Sequence, residues 1–281
     1  MRTSCVLVPI ATLLAGILGY FFRMAELEII FDSVTGLPER GAPITVVLIG
    51  LSVLLFVVFT IFAIRTSVKY TIGADYDNAF GTDTFAYPVV FTAVGTVWLI
   101  ATFVYFLGIL AAQNGEFSDR IFAIGSALAA LALIIFAIEV YKNPRRKFLS
   151  LFSIMPSLFM CFWLIIIYRD NASNPVLLSY TYKVLAIVFS AAGCYFSSSF
   201  ATGKPVIGKA IVSYSLAAYF CIITLADDYP MSMRLILGAI AFLNIFNLGS
   251  LLRNLQRKIK KKKRKKQQGN RQQELKSVKT S

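Results

Sequence analysis

The chain has 281 residues, of which 57% are apolar and 15% charged, and its mean hydropathy is +0.71. One soluble core could not bury so much apolar surface, so the composition excludes an ordinary soluble domain and indicates a protein embedded in lipid. The net charge of +14 would also suit a nucleic-acid-binding protein, but it is concentrated at the end of the chain. Residues 253–281 hold 13 of the 28 Lys and Arg residues and one of the 14 acids, so the preceding part is nearly neutral.

Long runs without a charged residue predict the fold class. About 20 residues of helix cross the roughly 30 Å hydrocarbon core of a bilayer, and the runs lack the alternation of a membrane β-barrel. We therefore predict an all-α integral membrane protein, with a bundle of eight transmembrane helices in residues 1–252 and a basic, largely disordered tail in residues 253–281. The predicted spans are Ser4–Phe22, Ala42–Ile64, Phe85–Ala112, Ile121–Ile138, Phe148–Tyr168, Val184–Gly203, Ala210–Ala226 and Leu235–Leu252.

The first predicted span leads into a long loop, Arg23–Gly41. The end of the span, Tyr20–Arg23, lacks the small residues that a signal peptidase requires, so we expect the span to be retained. Residues Glu26–Ile30 alternate in character, and Thr35-Gly36 is typical of a turn. This pattern predicts a short extended piece that turns on Gly36 and lies on the outer membrane surface.

The same loop carries a resemblance to a known group of proteins. The matching residues are Arg23, Glu26, Leu27, Phe31, Asp32, Thr35, Gly36 and Leu37. Together with the order of the apolar runs, they resemble uncharacterised multi-pass membrane proteins of Gram-positive anaerobic bacteria. The resemblance implies a location in a bacterial plasma membrane and implies no particular activity.

The distribution of Lys and Arg predicts the orientation. Cytoplasmic loops carry an excess of these residues. With the first span starting in the cytoplasm, nine Lys and Arg residues before the tail fall inside and six fall outside. In residues 257–266, nine of ten residues are Lys or Arg, which places the tail inside as well. We therefore expect both termini in the cytoplasm.

Few polar side chains of functional interest lie within the predicted spans, where such groups are costly and usually functional. Asn244 and Asn247 lie three apart on one face of the eighth span, and they predict either a polar path or an interhelical hydrogen bond. Glu139 lies near the inner end of the fourth span and predicts an interfacial ion pair, with a coupling carboxylate as the alternative. Small residues four apart predict close helix packing at Gly125–Ala129, Ser126–Ala130 and Gly193–Ser197.

Two further segments hold acidic residues. The inner segment Arg65–Thr84 is predicted to be a solvated connector with a short helix around Tyr76–Phe80, and Asp227-Asp228 is predicted to be a solvated outer turn. A membrane enzyme would have to gather such loop acids in one pocket for acid–base chemistry. The acids available for this are Asp227 and Asp228 outside and Asp75, Asp77 and Asp83 inside.

Several kinds of catalytic and cofactor site are excluded by what the sequence lacks. There is no histidine, so neither an H-E-x-x-H zinc site nor a Ser-His or Cys-His pair can form. The sequence also lacks a glycine-rich phosphate loop and a dinucleotide fingerprint. The four cysteines lie in apolar runs without a C-x-x-C spacing, which predicts free thiols. We expect no cofactor and no metal.

The basic tail is predicted to be a topology anchor. Lys and Arg clusters next to a span attract anionic lipid headgroups, whereas nucleic acid or the ribosome is the less favoured partner. No protein partner is indicated by the sequence. The residues predicted to contact anionic lipid are Arg257, Lys258, Lys260, Lys261, Lys262, Lys263, Arg264, Lys265 and Lys266.

Three functions agree with these features. The favoured one is a permease-like component for neutral or lipidic cargo, since the predicted helices are largely free of ionisable residues. The second is a membrane sensor or scaffold that uses the outer loop 23–41 and the tail. An interfacial membrane enzyme is the least favoured.

Overall fold

A computed structural model describes residues 4–30, 42–72, 76–82, 85–112, 116–142, 149–172 and 176–257. These residues form helices and two short strands, and a single 3₁₀ turn lies at Leu177–Ser179. The helices are α1 (Ser4–Ile30), α2 (Pro43–Lys69), α3 (Tyr76–Phe80), α4 (Ala86–Ala112), α5 (Phe117–Lys142), α6 (Leu149–Asp170), α7 (Thr181–Ala201), α8 (Ile207–Thr224) and α9 (Met231–Asn254). The strands are β1 (Tyr70–Thr71) and β2 (Gln256–Arg257).

All of these helices except α3 are long and apolar enough to cross a membrane. This confirms the prediction of eight apolar helices, each at its predicted place in the chain. The largest difference is in α1, which continues past Phe22 to Ile30 because Ala, Glu and Leu at these positions favour helix. The prediction of an extended piece at Glu26–Ile30 is therefore wrong. The rest of that loop, residues 31–41, lies outside the described residues.

Six helices close a ring. Each helix from α4 to α9 packs against the next one, and α9 packs against α4. α1 packs outside this ring against α8 and α9, and α2 packs against α8. α8 is consequently covered from several sides, and every side chain from Ser213 to Thr224 is buried.

The outer surface of the bundle is strongly apolar. Large side chains such as Val53 of α2 and Phe103 of α4 are exposed, and so are many of their neighbours on the same helix faces. Apolar surface of this extent is rare on soluble proteins and is consistent with a multi-pass membrane protein.

The two ends of the bundle differ in content. One end holds α3, β1, β2 and the connections α5–α6 and α7–α8. We call it the plug end, after the short helix α3. The opposite end holds the connections α1–α2, α4–α5, α6–α7 and α8–α9, and we call it the ion-cluster end for the charged residues described below.

Small residues allow several helices to approach closely, as predicted. Gly193 of α7 faces α8 and α9 so closely that a Cβ atom there would lie 2.7 Å from Asn244 Oδ1 and 3.2 Å from Tyr214 Cδ1. Ser126 of α5 accepts a hydrogen bond of 2.8 Å from Trp98 Nε1 of α4. The predicted contact positions Gly193 and Ser126 thus lie at real helix interfaces.

Candidate functional site

α3 is buried against the ring at the plug end. The prediction of a short helix at Tyr76–Phe80 is confirmed, but the prediction that this segment is solvated is wrong, because Tyr76 is 4% exposed and Phe80 is 2% exposed. The Tyr76 ring lies 5.4 Å from the ring of Phe136 on α5, and the Phe80 ring lies 5.2 Å from that of Phe200 on α7. Aromatic burial of this size outweighs solvation of one short turn. We call α3 the plug.

The plug is tied to the end of α9. β1, which directly follows α2, pairs with β2, which follows α9, so that Tyr70 lies opposite Arg257. Asn254, the last residue of α9, donates a hydrogen bond of 3.2 Å from Nδ2 to the carbonyl oxygen of Ala79 in α3. The plug is therefore joined by a hydrogen bond to the end of α9, and the strand pairing joins the end of α2 to Arg257 in the basic tail.

A substitution at Gly81, which directly follows the plug, tests the connection between the plug and α9. Its φ is +65°, and a Cβ atom there would lie 2.9 Å from Asn254 Nδ2. We expect Gly81→Ala to lower the free energy of unfolding by about 1–2 kcal/mol for the left-handed backbone and by a further amount for the displaced Asn254. The measurement is thermal unfolding in detergent.

Gly203 provides the matched control for Gly81. Its φ is +73°, but in the described part of the chain no atom beyond its two chain neighbours lies within 4 Å of the Cβ position. Gly203→Ala therefore reports the backbone cost alone, and we expect it to be the milder change. Equal costs for the two variants would contradict the proposed contact between Gly81 and Asn254.

A chain of uncharged polar groups leads from the plug into the centre of the ring. The hydroxyl oxygens of Tyr76 and Tyr87 lie 2.5 Å apart, and Tyr87 donates a hydrogen bond of 3.3 Å to Asn247 Oδ1 on α9. Because the Tyr87 proton is used in this way, Tyr76 donates to Tyr87. Burial raises the pKa of Tyr76 well above its ordinary value, so its hydroxyl keeps that proton. On the adjoining helices, the Ser197 and Tyr214 hydroxyls lie 2.6 Å apart.

A small cavity lies beside this chain. Its volume is about 20 Å³, enough for one water molecule. None of the described side chains that line it is charged. We call this region the polar centre, and the lining residues are Tyr76, Phe91, Leu133, Phe136, Ser153, Pro156, Cys194, Ser197, Leu243 and Asn247.

The predicted site residues are only partly brought together. Asn247 lies in the polar centre, with the interhelical hydrogen bond from Tyr87 described above. Asn244 donates a hydrogen bond of 2.8 Å to Ile240 O within its own helix and faces Gly193. Glu139 of α5 is half-buried and does not line the cavity. Of the predicted tail contacts, only Arg257 has a described position, in β2, and residues 258–281 lie outside the described residues.

A second buried polar group lies at the opposite end of the bundle. Arg23 of α1 is 1% exposed and binds two carboxylates, at 2.8 Å from Nη1 to Glu26 Oε2 and 2.8 Å from Nε to Asp227 Oδ1. Glu26 Oε1 accepts a hydrogen bond of 2.7 Å from Thr45 of α2. The guanidinium also lies over the Tyr182 ring, 4.9 Å from its centroid. We call Arg23, Glu26 and Asp227 the ion cluster.

The ion cluster holds one cation against two carboxylates. Burial raises the pKa of the Asp227 carboxyl above its ordinary value, although the nearby Arg23 works in the opposite direction. Two buried atoms near it, Asp227 Oδ2 and the Tyr182 hydroxyl, have no hydrogen-bond partner among the described residues. Removing one partner from such a cluster is costly because an uncompensated charge stays buried.

Sequence reasoning missed the ion cluster. Arg23 directly follows a charge-free run, which predicts a loop there, whereas the helix continues and places Arg23 and Glu26 on one face. The prediction that Asp227 belongs to a solvated turn is wrong, whereas its neighbour Asp228 is fully exposed. The available signal was an arginine and acids at the ends of several spans on the same predicted side.

The described residues of the two polar regions do not gather enough metal-ligating side chains for a metal site. Within the described ranges, no group of three His, Cys, Asp or Glu side chains is placed to hold a metal ion. In the ion cluster the charges are engaged with one another, so the arrangement can join helices rather than present a free acid. No protein-family model, curated protein or solved structure matches the chain. We take the polar centre and its plug as the candidate functional site.

Proposed function

We propose that the protein is a permease-like component of a bacterial plasma membrane that takes neutral or lipidic cargo, with both termini in the cytoplasm. The observation that carries this proposal is the polar centre inside the ring of α4–α9, closed at one end by the plug. Buried hydroxyl and amide groups in the middle of apolar helices are costly unless they serve packing or a ligand.

The chemistry of the polar centre favours uncharged cargo. Tyr87, Asn247 and Ser197 offer hydrogen-bond donors and acceptors, and the described lining carries no charge that would stabilise an ion. The cavity of about 20 Å³ is far too small for a solute beyond the size of water. The structure thus corresponds to a closed state in this proposal, and passage requires the plug to move.

The orientation proposal rests on the charges at the two ends. The plug end carries Arg65, Lys69, Lys204 and Lys209, which favours the cytoplasm. Arg23 at the other end is engaged by Glu26 and Asp227, so it is not a free loop cation. When Arg23 is left out of the count, the excess of Lys and Arg at the plug end over the opposite end becomes larger, and the orientation proposal depends on this excess.

Solute flux into liposomes tests the proposal. Vesicles with the purified protein are exposed to an osmotic step of glycerol or urea, and the volume change is followed by light scattering. We expect recovery to be faster than in empty vesicles. Asn247→Leu is expected to reduce the protein-dependent rate about tenfold, because the loss of one hydrogen bond raises the barrier by about 1.4 kcal/mol.

Val53→Ala on the exposed face of α2 is the matched control and is expected to keep the wild-type rate. A parallel assay with a fluorescent phospholipid measures transfer between leaflets. If vesicles with the protein behave like empty ones for neutral solutes and for the phospholipid, the proposal is wrong.

The sensor or scaffold function is the second candidate, favoured by one observation. The pairing of β1 with β2 and the hydrogen bond from Asn254 to Ala79 connect the plug end to Arg257 in the basic tail. Deleting residues 31–41 and identifying co-purifying proteins tests this candidate, since an unchanged set of partners contradicts it. An interfacial enzyme has the least support. The acids that the fold brings together, Glu26 and Asp227, are both paired with Arg23.

A further inference from the structure

A groove opens on the outside of the ring between α1, α4 and α9. It has a volume of about 710 Å³ and extends from the ion-cluster end toward the middle of the helices. This is within the size range of sites for small organic ligands. The wall is apolar apart from Tyr20 and Arg234, and its middle part is formed by Ala93, Val97, Gly238 and Phe242.

Arg234 is the one cation among the described residues that line this groove. Its Nη2 donates to Asp227 O at 3.2 Å and to Asp228 Oδ1 at 3.3 Å. Its Nε is buried and has no hydrogen-bond partner within the described part of the chain. The exposed part of this guanidinium, beside an apolar groove, is complementary to a phosphate oxygen.

The ion pair of Arg234 with Asp228 is available to a ligand. The Arg234 side chain is 39% exposed and the Asp228 side chain is fully exposed. Pairs between exposed charges contribute little, about 0–1 kcal/mol, because water competes for them. A molecule that carries both a phosphate and an ammonium group can therefore replace this pair. Its phosphate would bind Arg234, and its ammonium group would bind Asp228.

The dimensions suit a lipid chain. From Arg234 to Phe242, α9 rises about 12 Å at about 1.5 Å per residue. Half of the hydrocarbon core of a bilayer is about 15 Å thick. A chain whose headgroup lies at Arg234 can thus follow the groove to near the middle of the membrane. At Gly238 it meets open space, since no atom of the described residues other than its own stretch of helix lies within 4 Å of a Cβ atom placed there.

We propose that this groove binds one phospholipid with an ammonium headgroup. The phosphate accepts hydrogen bonds from Arg234, the ammonium group faces Asp228, and an acyl chain lies over Gly238 and Phe242. Lipid that merely surrounds a membrane protein has no such dependence on one arginine and one groove. The site lies outside the ring, so it does not depend on the proposed transport function.

Lipid retention in native mass spectrometry tests the proposal. The purified protein is incubated in detergent with phosphatidylethanolamine, phosphatidylglycerol or diacylglycerol of identical chains, and the bound fraction is measured. We expect phosphatidylethanolamine to be retained most and diacylglycerol least. Arg234→Gln and Gly238→Leu are each expected to reduce the retained phosphatidylethanolamine about tenfold, the effect of about 1.4 kcal/mol. Asp228→Asn is expected to reduce its advantage over phosphatidylglycerol.

Gly50→Leu is the matched control for Gly238→Leu. Gly50 lies on α2, away from the groove. Within the described ranges it also has no atom beyond its own stretch of helix within 4 Å of its Cβ position, so both variants add a side chain to open space. We expect Gly50→Leu to retain lipid like the wild type. Because Gly238→Leu does not alter a charged contact, it tests the site even if Arg234→Gln fails to fold. Unchanged retention in Gly238→Leu, or equal retention of the three lipids, would overturn the proposal.

Discussion

Replacing Arg23 with methionine is expected to lower the free energy of unfolding by about 3–5 kcal/mol. The change removes the cation that Glu26 and Asp227 share, at 2.8 Å each, and leaves both carboxylates buried without it. Methionine keeps most of the apolar volume of the arginine stem, so the effect reports mainly the lost charge. Thermal unfolding in detergent, followed by size-exclusion chromatography of the heated sample, measures it.

Arg169 provides the matched control for Arg23. It also pairs with two acids, Glu116 and Asp170, but its side chain is 55% exposed and theirs are 74% and 44% exposed. Arg169→Met is expected to cost less than about 1 kcal/mol. Equal effects of the two arginine variants would contradict the stabilising role of the ion cluster.

Neutralising the acids should rescue the Arg23 variant. With Glu26→Gln and Asp227→Asn added to Arg23→Met, no uncompensated charge stays buried, and we expect most of the lost stability to return. This rescue separates electrostatics from packing, because the amides have nearly the same shape as the carboxyls. A triple variant as unstable as Arg23→Met would show that the packing of α1 is responsible.

The ion cluster explains how α1 is joined to the ring. Arg23 lies on α1, whereas its partners Asp227 and Leu178 lie in the α8–α9 and α6–α7 connections. Thr45 adds α2 through its bond to Glu26. Apolar packing alone is weakly directional between helices, so these directed contacts fix the position of α1 along the bundle.

The number and order of the long helices could be predicted because one local property decides them. A run of about 20 residues without charge crosses a bilayer as a helix whatever its neighbours are. The ends could not be predicted in the same way. α1 continues through Arg23 and Glu26 because the Arg23 cation pairs with Glu26 in the same helix and with Asp227, which lies 204 residues from Arg23.

The polar centre could be predicted only in part for a related reason. Asn247 stands out in the sequence as an amide within an apolar span. Its partner Tyr87 lies 160 residues away, and a tyrosine near a helix end is more typical of the membrane interface. Tyr76 and Phe80 lie in a short segment with charged neighbours, which predicts solvation. Their burial depends on the space inside the ring, which no local pattern contains.

Replacing Phe80 with alanine is expected to release the plug. The Phe80 ring packs at 5.2 Å from Phe200 and 4.7 Å from Tyr76, and truncating a buried phenylalanine costs about 3–5 kcal/mol. If the plug leaves its site without unfolding the ring, this cost shifts its docking equilibrium at least about 100-fold, since 1.4 kcal/mol is tenfold. We expect a faster solute flux in the liposome assay.

The thiol of Cys194 gives an independent measure of plug release. It is buried and lines the polar centre beside the plug. In a protein with serine at the other three cysteines, Cys5, Cys161 and Cys221, a small methanethiosulfonate reagent should modify Cys194 faster when Phe80 is alanine. Burial keeps the reaction slow in the parent protein, so the expected change is large.

Tyr76→Phe separates hydrogen bonding from packing at the plug. It keeps the aromatic ring against Phe136 but removes the hydroxyl that lies 2.5 Å from that of Tyr87. The expected cost is about 1 kcal/mol, so flux and Cys194 labelling should rise far less than with Phe80→Ala. Faster labelling without faster flux in Phe80→Ala would show that the plug covers the polar centre but does not gate it, because the barrier would then lie elsewhere in the ring.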